Sequence, residues 1–136
     1  MDPQKNQICL AEVVTVPIAI ALLAPMLRDM DLLSFVDNEG AVSALVRGTS
    51  RTDDCAFMAE LTHALMQRLR LRCWFEWIDS DSNPADNLSR AGTRDAWTAA
   101  HFADLREIRL DDLPCCQADA FDWADRLLHW GRGKLD

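Results

Sequence analysis

The chain has 136 residues, 49% hydrophobic and 26% charged, which suits one folded domain and excludes both a disordered tail and two independent cores. Fourteen Lys and Arg stand against twenty-two Asp and Glu, a formal charge of -8, so the surface as a whole does not hold nucleic acid by bulk charge. Five Pro and five Gly exclude a collagen-like or low-complexity chain. Function must therefore rest on a few placed residues.

The most apolar stretch runs from Ile8 to Leu27 but contains Glu12, Pro17 and Pro25. Its uninterrupted part falls short of the ~20 residues that cross a bilayer. Lys5 is the only early cation, and no small-residue cleavage site follows it, so the stretch is not a signal peptide. The expectation is a buried helix from about Leu10 to Met30, bent or broken near Pro17, where proline removes a backbone donor and crowds the preceding turn. Glu12 is then an acid near the start of a greasy helix. Leu32 to Val36 predicts a short buried strand that stops at Asp37-Asn38. Ala41, Val42, Leu45 and Val46 fall at helical spacing, with Gly48 as the stop.

Thr52-Asp53-Asp54 reads as a helix N-cap with acids in the first turn. The helix after it carries Phe57, Met58, Leu61, Leu65, Met66 and Leu69 on one face. Leu71 to Ile78 predicts a second strand, with Trp74 and Trp77 on opposite faces and both expected to pack. Arg68, Arg70 and Arg72 alternate with apolar residues and suggest one arginine face able to touch phosphates. Asp79 to Pro84 is a polar turn, and Pro84 suits the start of a short helix through Leu88. Past Gly92, Ala96 to Leu105 and Ala118 to Trp130 predict two amphipathic helices, separated by an extended Ile108-Arg109-Leu110 and a break at Asp111 to Pro114.

Strand, helix, helix, strand is the order of a parallel crossover, so the expected fold class is α/β, helix-rich, with at least two parallel strands. A two-stranded sheet is marginal by itself. Cys9, Cys55, Cys73, Cys115 and Cys116 are irregularly spaced and are expected to be reduced thiols of an intracellular protein. His63, His101 and His129 show no zinc spacing.

Three acids sit where packing alone does not favour them: Glu12 in the apolar helix, Asp37 at the carboxyl end of a strand, and Asp86 after the second strand. In a crossover fold these points converge on one edge of the sheet. Carboxylates brought together repel unless a cation lies between them, and magnesium or manganese is the natural choice for oxygen ligands. Each acid also has an ordinary reading as a helix-start acid or a turn former.

Phe35-Val36-Asp37-Asn38-Glu39-Gly40-Ala41-Val42 resembles the strand-and-helix motif of ribonuclease H domains in retroelement reverse transcriptases. Asn83-Pro84-Ala85-Asp86-Asn87-Leu88-Ser89-Arg90 resembles that family's closing motif, and Ile8-Cys9-Leu10-Ala11-Glu12 the opening of its first helix. The nearest versions are those of gypsy-like and DIRS-like elements. The resemblance covers roughly residues 8–90, and the closing motif is its most specific part. It implies a ribonuclease H-like domain over residues 1–90 without its N-terminal strands, followed by a helical C-terminal extension over 91–136. It also implies two-metal hydrolysis of the RNA strand of an RNA–DNA hybrid, with Glu12, Asp37 and Asp86 as catalytic and metal-binding residues and Mg2+ or Mn2+ as cofactor. Asn38, Arg47, Arg51, Ser89 and Arg90 would contact the nucleic acid.

The family carries a further Asp on a first strand, which begins a hairpin ahead of the first helix. Met1 to Gln7 are too few for three strands, so the chain is expected to be a fragment of such a domain, a degenerate relic inactive by itself, or a subunit completed by another polypeptide, with a reverse transcriptase polymerase domain as a further partner. The competing expectations are a non-catalytic interaction or scaffold module of the same fold, and a small helical protein whose acidic surface serves solubility.

Overall fold

A computed structural model describes residues 3–84, 96–101, 107–115 and 119–135. Helix α1 (Pro3–Leu22) contains Pro17 and continues through it. The break comes at Leu23, ahead of the short α2 (Ala24–Leu27), in which Pro25 lies in the first turn. This corrects the expected break at Pro17. That ring is fully buried, and core packing along α1 outweighs the roughly 3 kcal/mol that proline costs inside a helix. Pro25, by contrast, sits where its missing donor would have had no partner, so it restarts the helix.

Strand β1 (Asp31–Val36) ends where the sequence predicts, and α3 (Glu39–Arg47) follows. Asn38 caps α3, its Oδ1 accepting from the Ala41 backbone N–H at 2.9 Å, and Gly48 closes it with φ 73°. Helix α4 (Asp53–Leu69) opens on Asp53 and Asp54, whose charge complements the helix dipole. Thr52 occupies the N-cap position without a capping hydrogen bond from its side chain. At the other end Leu71 N–H donates to Met66 O and Arg70 N–H to Gln67 O, a Schellman closure with Arg70 in the left-handed region. Strand β2 (Arg72–Trp77) starts immediately after this reversal. A single 3-10 turn (Ser80–Ser82) follows, capped by Asp79. Helix α5 (Ala96–His101) and helix α6 (Ala120–Gly131) complete the described elements, with the extended 107–110 segment and the turn at Asp111-Asp112 between them.

The two strands run parallel, with Asp31 opposite Arg72 and Val36 opposite Trp77, and α3 and α4 form the crossover. The chain is thus a helix-rich α/β protein. No helix among the described residues is long and apolar enough to cross a membrane. One core forms where α1, α4 and α6 meet and includes Ile20, Leu61, Leu65, Leu69, Leu127 and Trp130. Leu61, Leu65 and Leu69 repeat every fourth residue along α4, and each fully buried leucine contributes roughly 1.5–3 kcal/mol. A second core lies under the sheet, where Val13 of α1 meets Val36, Leu45, Cys55 and Phe75.

Alternation along the strands directs Leu32, Ser34, Val36, Cys73 and Phe75 inward and Leu33, Phe35 and Trp74 outward. Those three outer side chains are 55%, 56% and 66% exposed. Trp77, though on the inner face, lies beyond the core at the strand end and is 48% exposed. The expectation that both tryptophans pack is therefore corrected, because the described helices cover one face of the sheet and stop short of its carboxyl end. A parallel sheet normally has both faces covered.

Candidate functional site

Asp37 occupies the corner where β1 turns into α3, at the carboxyl end of the sheet, the rim at which open parallel sheets hold ligands. The corner is tight. A Cβ on Gly40 would lie 3.2 Å from Asn38 Oδ1 and 3.2 Å from Cys9 Sγ, so the first turn of α3 rests against α1. Ile78 N–H donates to Val36 O, which carries the β2 side of the rim past Asp37.

Two cavities meet at Asp37. The smaller, about 310 Å³, is a groove between α1 and β1. Its polar end holds Glu12, Thr15, Ser34, Asp37 and Asn83, while Ile20, Leu27 and Leu32 line its apolar remainder. Glu12 and Asp37, 25 positions apart in sequence, thus face one space, as the crossover reading expects. The larger cavity, about 720 Å³, lies on the other side of Asp37. Asn38, Ser50, Arg47, Arg51 and Trp77 line it, with Cys9 and Cys55 in its wall.

Asp86, Ser89 and Arg90, together with the short helix predicted through Leu88, lie outside the described residues. The segment leading to them passes the same corner: Asn83 Nδ2 donates to Asp37 Oδ2 across a long 3.4 Å. Asp79, a neighbouring acid, is committed locally, since its two oxygens accept from Ser82 N–H at 2.9 Å and Ser82 O–H at 3.0 Å. No group of three His, Cys, Asp or Glu able to hold a metal occurs among the described residues. Glu12 and Asp37 supply two carboxylates to one cavity, and their all-oxygen donors fit a hard divalent cation.

Asn38 and the two predicted arginines, Arg47 and Arg51, come together around the larger cavity. Asn38 has a structural task as well, because its carbonyl oxygen caps α3. Trp77 is a wall residue that sequence reasoning assigned to packing. The signal that distinguishes it is position: it is the last residue of β2, opposite Val36 and adjacent to the acidic rim. The Cys9 thiol is pushed up to about 11, first by burial and then by the neighbouring Cys55.

Of the three arginines expected on one face, each pairs with an acid: Arg68 with Asp125 of α6, Arg70 with Asp29 and Arg72 with Asp31. Arg70 and Arg72 line one surface pocket, while Arg68 lies on α4 and packs toward α6. No family model, curated protein or solved structure matches this chain.

Proposed function

We propose that this chain is a ribonuclease H-like domain of a retroelement-type reverse transcriptase, acting inside the cell on RNA–DNA hybrids and completed by a further polypeptide segment. The observation that carries the reading is the shared cavity of Glu12 and Asp37, with Asn83 at its mouth. These come from the three stretches whose motifs resemble the family. Asp86 would add the third carboxylate.

In this reading Glu12, Asp37 and Asp86 hold Mg2+ or Mn2+, which when bound supplies Lewis-acid activation of water and of the leaving oxygen. The chain's own groups position the substrate. Arg47 and Arg51 would hold phosphates beside the carboxylates, and the exposed ring of Trp77 offers a surface on which a sugar or base can rest. Asn38, Ser89 and Arg90 would complete the contacts to the backbone. The net charge of -8 keeps this contact local to the Arg47–Arg51 wall.

In this reading the family's N-terminal strands would lie against the groove between α1 and β1. The apolar groove between α1 and β1 runs along one edge of the sheet and ends at Glu12 and Asp37, so a strand lying there would bring its own acid to the same point. The bare outer face with Leu33, Phe35 and Trp74 also fits a chain that gains neighbours. The same exposed face favours the second reading, a non-catalytic module that docks on a partner polypeptide. Hydrolysis of a labelled RNA strand in an RNA–DNA hybrid with magnesium separates the two, with and without the polypeptide that supplies the strands. The enzyme reading expects cleavage that Asp37→Asn abolishes; equal background from both proteins rejects it.

A further inference from the structure

Cys9 on α1 and Cys55 in the first turn of α4 are 46 positions apart, yet Cys55 S–H donates to Cys9 Sγ at 3.9 Å. Both line the larger cavity, Cys55 buried and Cys9 half-exposed. Their helices pack together, so the two sulfurs face each other across a fixed seam. Closing that gap to a disulfide bond of about 2.05 Å needs a shift of under ~2 Å, within reach of side-chain rotation and a small helix adjustment. Most buried cysteines are solitary and inert. This pair has a partner at hand and an open cavity through which a small reagent can arrive.

We propose that Cys9 and Cys55 form a redox modification site, closing to an intramolecular disulfide by exchange with a small-molecule disulfide of the glutathione class. The Cys9 thiolate attacks one sulfur of the reagent, forming a mixed disulfide and releasing one thiolate. The Cys55 thiolate then attacks the Cys9 sulfur and releases the second. Two protein thiols are oxidised and one small disulfide is reduced to two thiols, which take up, by way of solvent, the two protons the protein gives up. The larger cavity gives the first adduct room beside Cys9, and the buried Cys55 is placed to resolve it. Burial holds the Cys9 thiol well above neutral pH, so little thiolate is present and the exchange is slow at neutral pH.

Closure has a structural consequence. Cys9 Sγ supports the tight first turn of α3 at Gly40, next to Asp37 and Asn38. Drawing it toward Cys55 withdraws it from that turn and ties α1 to α4 beneath the cavity. The proposal stands on the sulfur geometry and does not depend on the nucleic-acid reading.

The test is incubation of the folded chain with oxidised glutathione, followed by alkylation and non-reducing peptide mapping. The expected result is one cross-link between the peptides carrying Cys9 and Cys55, present in the wild type and in Cys73→Ala, absent in Cys9→Ala and Cys55→Ala, and reversed by dithiothreitol. The cross-linked form should melt several degrees above the reduced form, because the bridge restrains the unfolded chain. Glutathione adducts on separate cysteines without a link would overturn the proposal, as would a link that forms only after unfolding in urea. Wild type and Cys73→Ala decide the matter even if the two alanine variants at the seam fail to fold.

Discussion

Gly131 is the last residue of α6 and lies against the backbone of α1. A Cβ placed there would sit 2.5 Å from Ala21 O, 2.9 Å from Ala21 C and 3.3 Å from Leu22 N. Intrinsic helix propensity favours Gly131→Ala by about 1 kcal/mol. The contact opposes it: ordinary C···O separations begin near 3.3 Å, so one backbone must retreat by about 0.8 Å. The atoms involved belong to a helix whose neighbours Ile20 and Ala21 are buried, so no flexible side chain can give way. Overpacking costs about 1–3 kcal/mol, and a clash with backbone falls in the upper part of that range, about 2–3 kcal/mol, which leaves a net loss of about 1–2 kcal/mol after the propensity gain. With a urea slope of roughly 1–3 kcal/mol/M, the unfolding midpoint should fall by about 0.3–2 M. Tryptophan fluorescence is a suitable probe, because Trp123 and Trp130 are buried at this seam while Trp74 and Trp77 are already exposed. A midpoint equal to or above that of the wild type would refute the docking of α6 on α1.

Further outcomes are expected. Asp112 accepts from Lys134 Nζ at 2.7 Å and from Trp130 Nε1 at 2.9 Å; these bonds, the lysine's first, hold its carboxyl below the ordinary 3.8. A lowered folded value stabilises the native state above pH 3.8 and loses that effect as pH falls through the lower folded value. Asp112→Ala should therefore be less stable than wild type at pH 6, and the gap between their urea melts should narrow as pH falls below 3.8; a gap that widens there would contradict the sign. If hybrid binds along the larger cavity, the double variant Arg47→Ala and Arg51→Ala should bind it more weakly in an anisotropy titration. It should also lower the slope of log affinity against log salt by about 2, one unit per phosphate contact. An unchanged slope would move the phosphates elsewhere.

Much of the backbone path was legible because local signals agreed with one another. The end of β1 at Val36, the Gly48 stop and the acids opening α4 each have a short-range cause, and all three fall where the sequence predicts. The parallel pairing followed from the order of elements and from the length of the crossover. What failed depends on tertiary context. Pro17 carries a strong local signal for a break, yet burial in the core overrides it. Trp74 and Trp77 have the composition of packed residues, but no periodicity reveals that the described helices lie on the opposite face from Trp74 and stop short of Trp77. Arg68, Arg70 and Arg72 alternate in sequence, and the left-handed turn at Arg70, where the helix gives way to the strand, is invisible until Leu71 is seen to bond Met66. That Glu12 and Asp37 line one groove is in keeping with the topology; Trp77 in the wall of the neighbouring cavity was not foreseeable. The Cys9–Cys55 seam was also hidden, since no spacing rule connects a helix start to a residue 46 positions away.

The central claim is that Glu12 and Asp37 act on one divalent cation. A manganese titration followed by thermal unfolding tests it most directly, because an ion bound only by the native state raises stability by about 1.4 kcal/mol at ten times its dissociation constant. The account predicts a melting temperature that rises and saturates with millimolar manganese in the wild type, and a rise that is lost in both Glu12→Gln and Asp37→Asn. A wild type that does not respond, or variants that respond as fully as it does, would contradict the shared site.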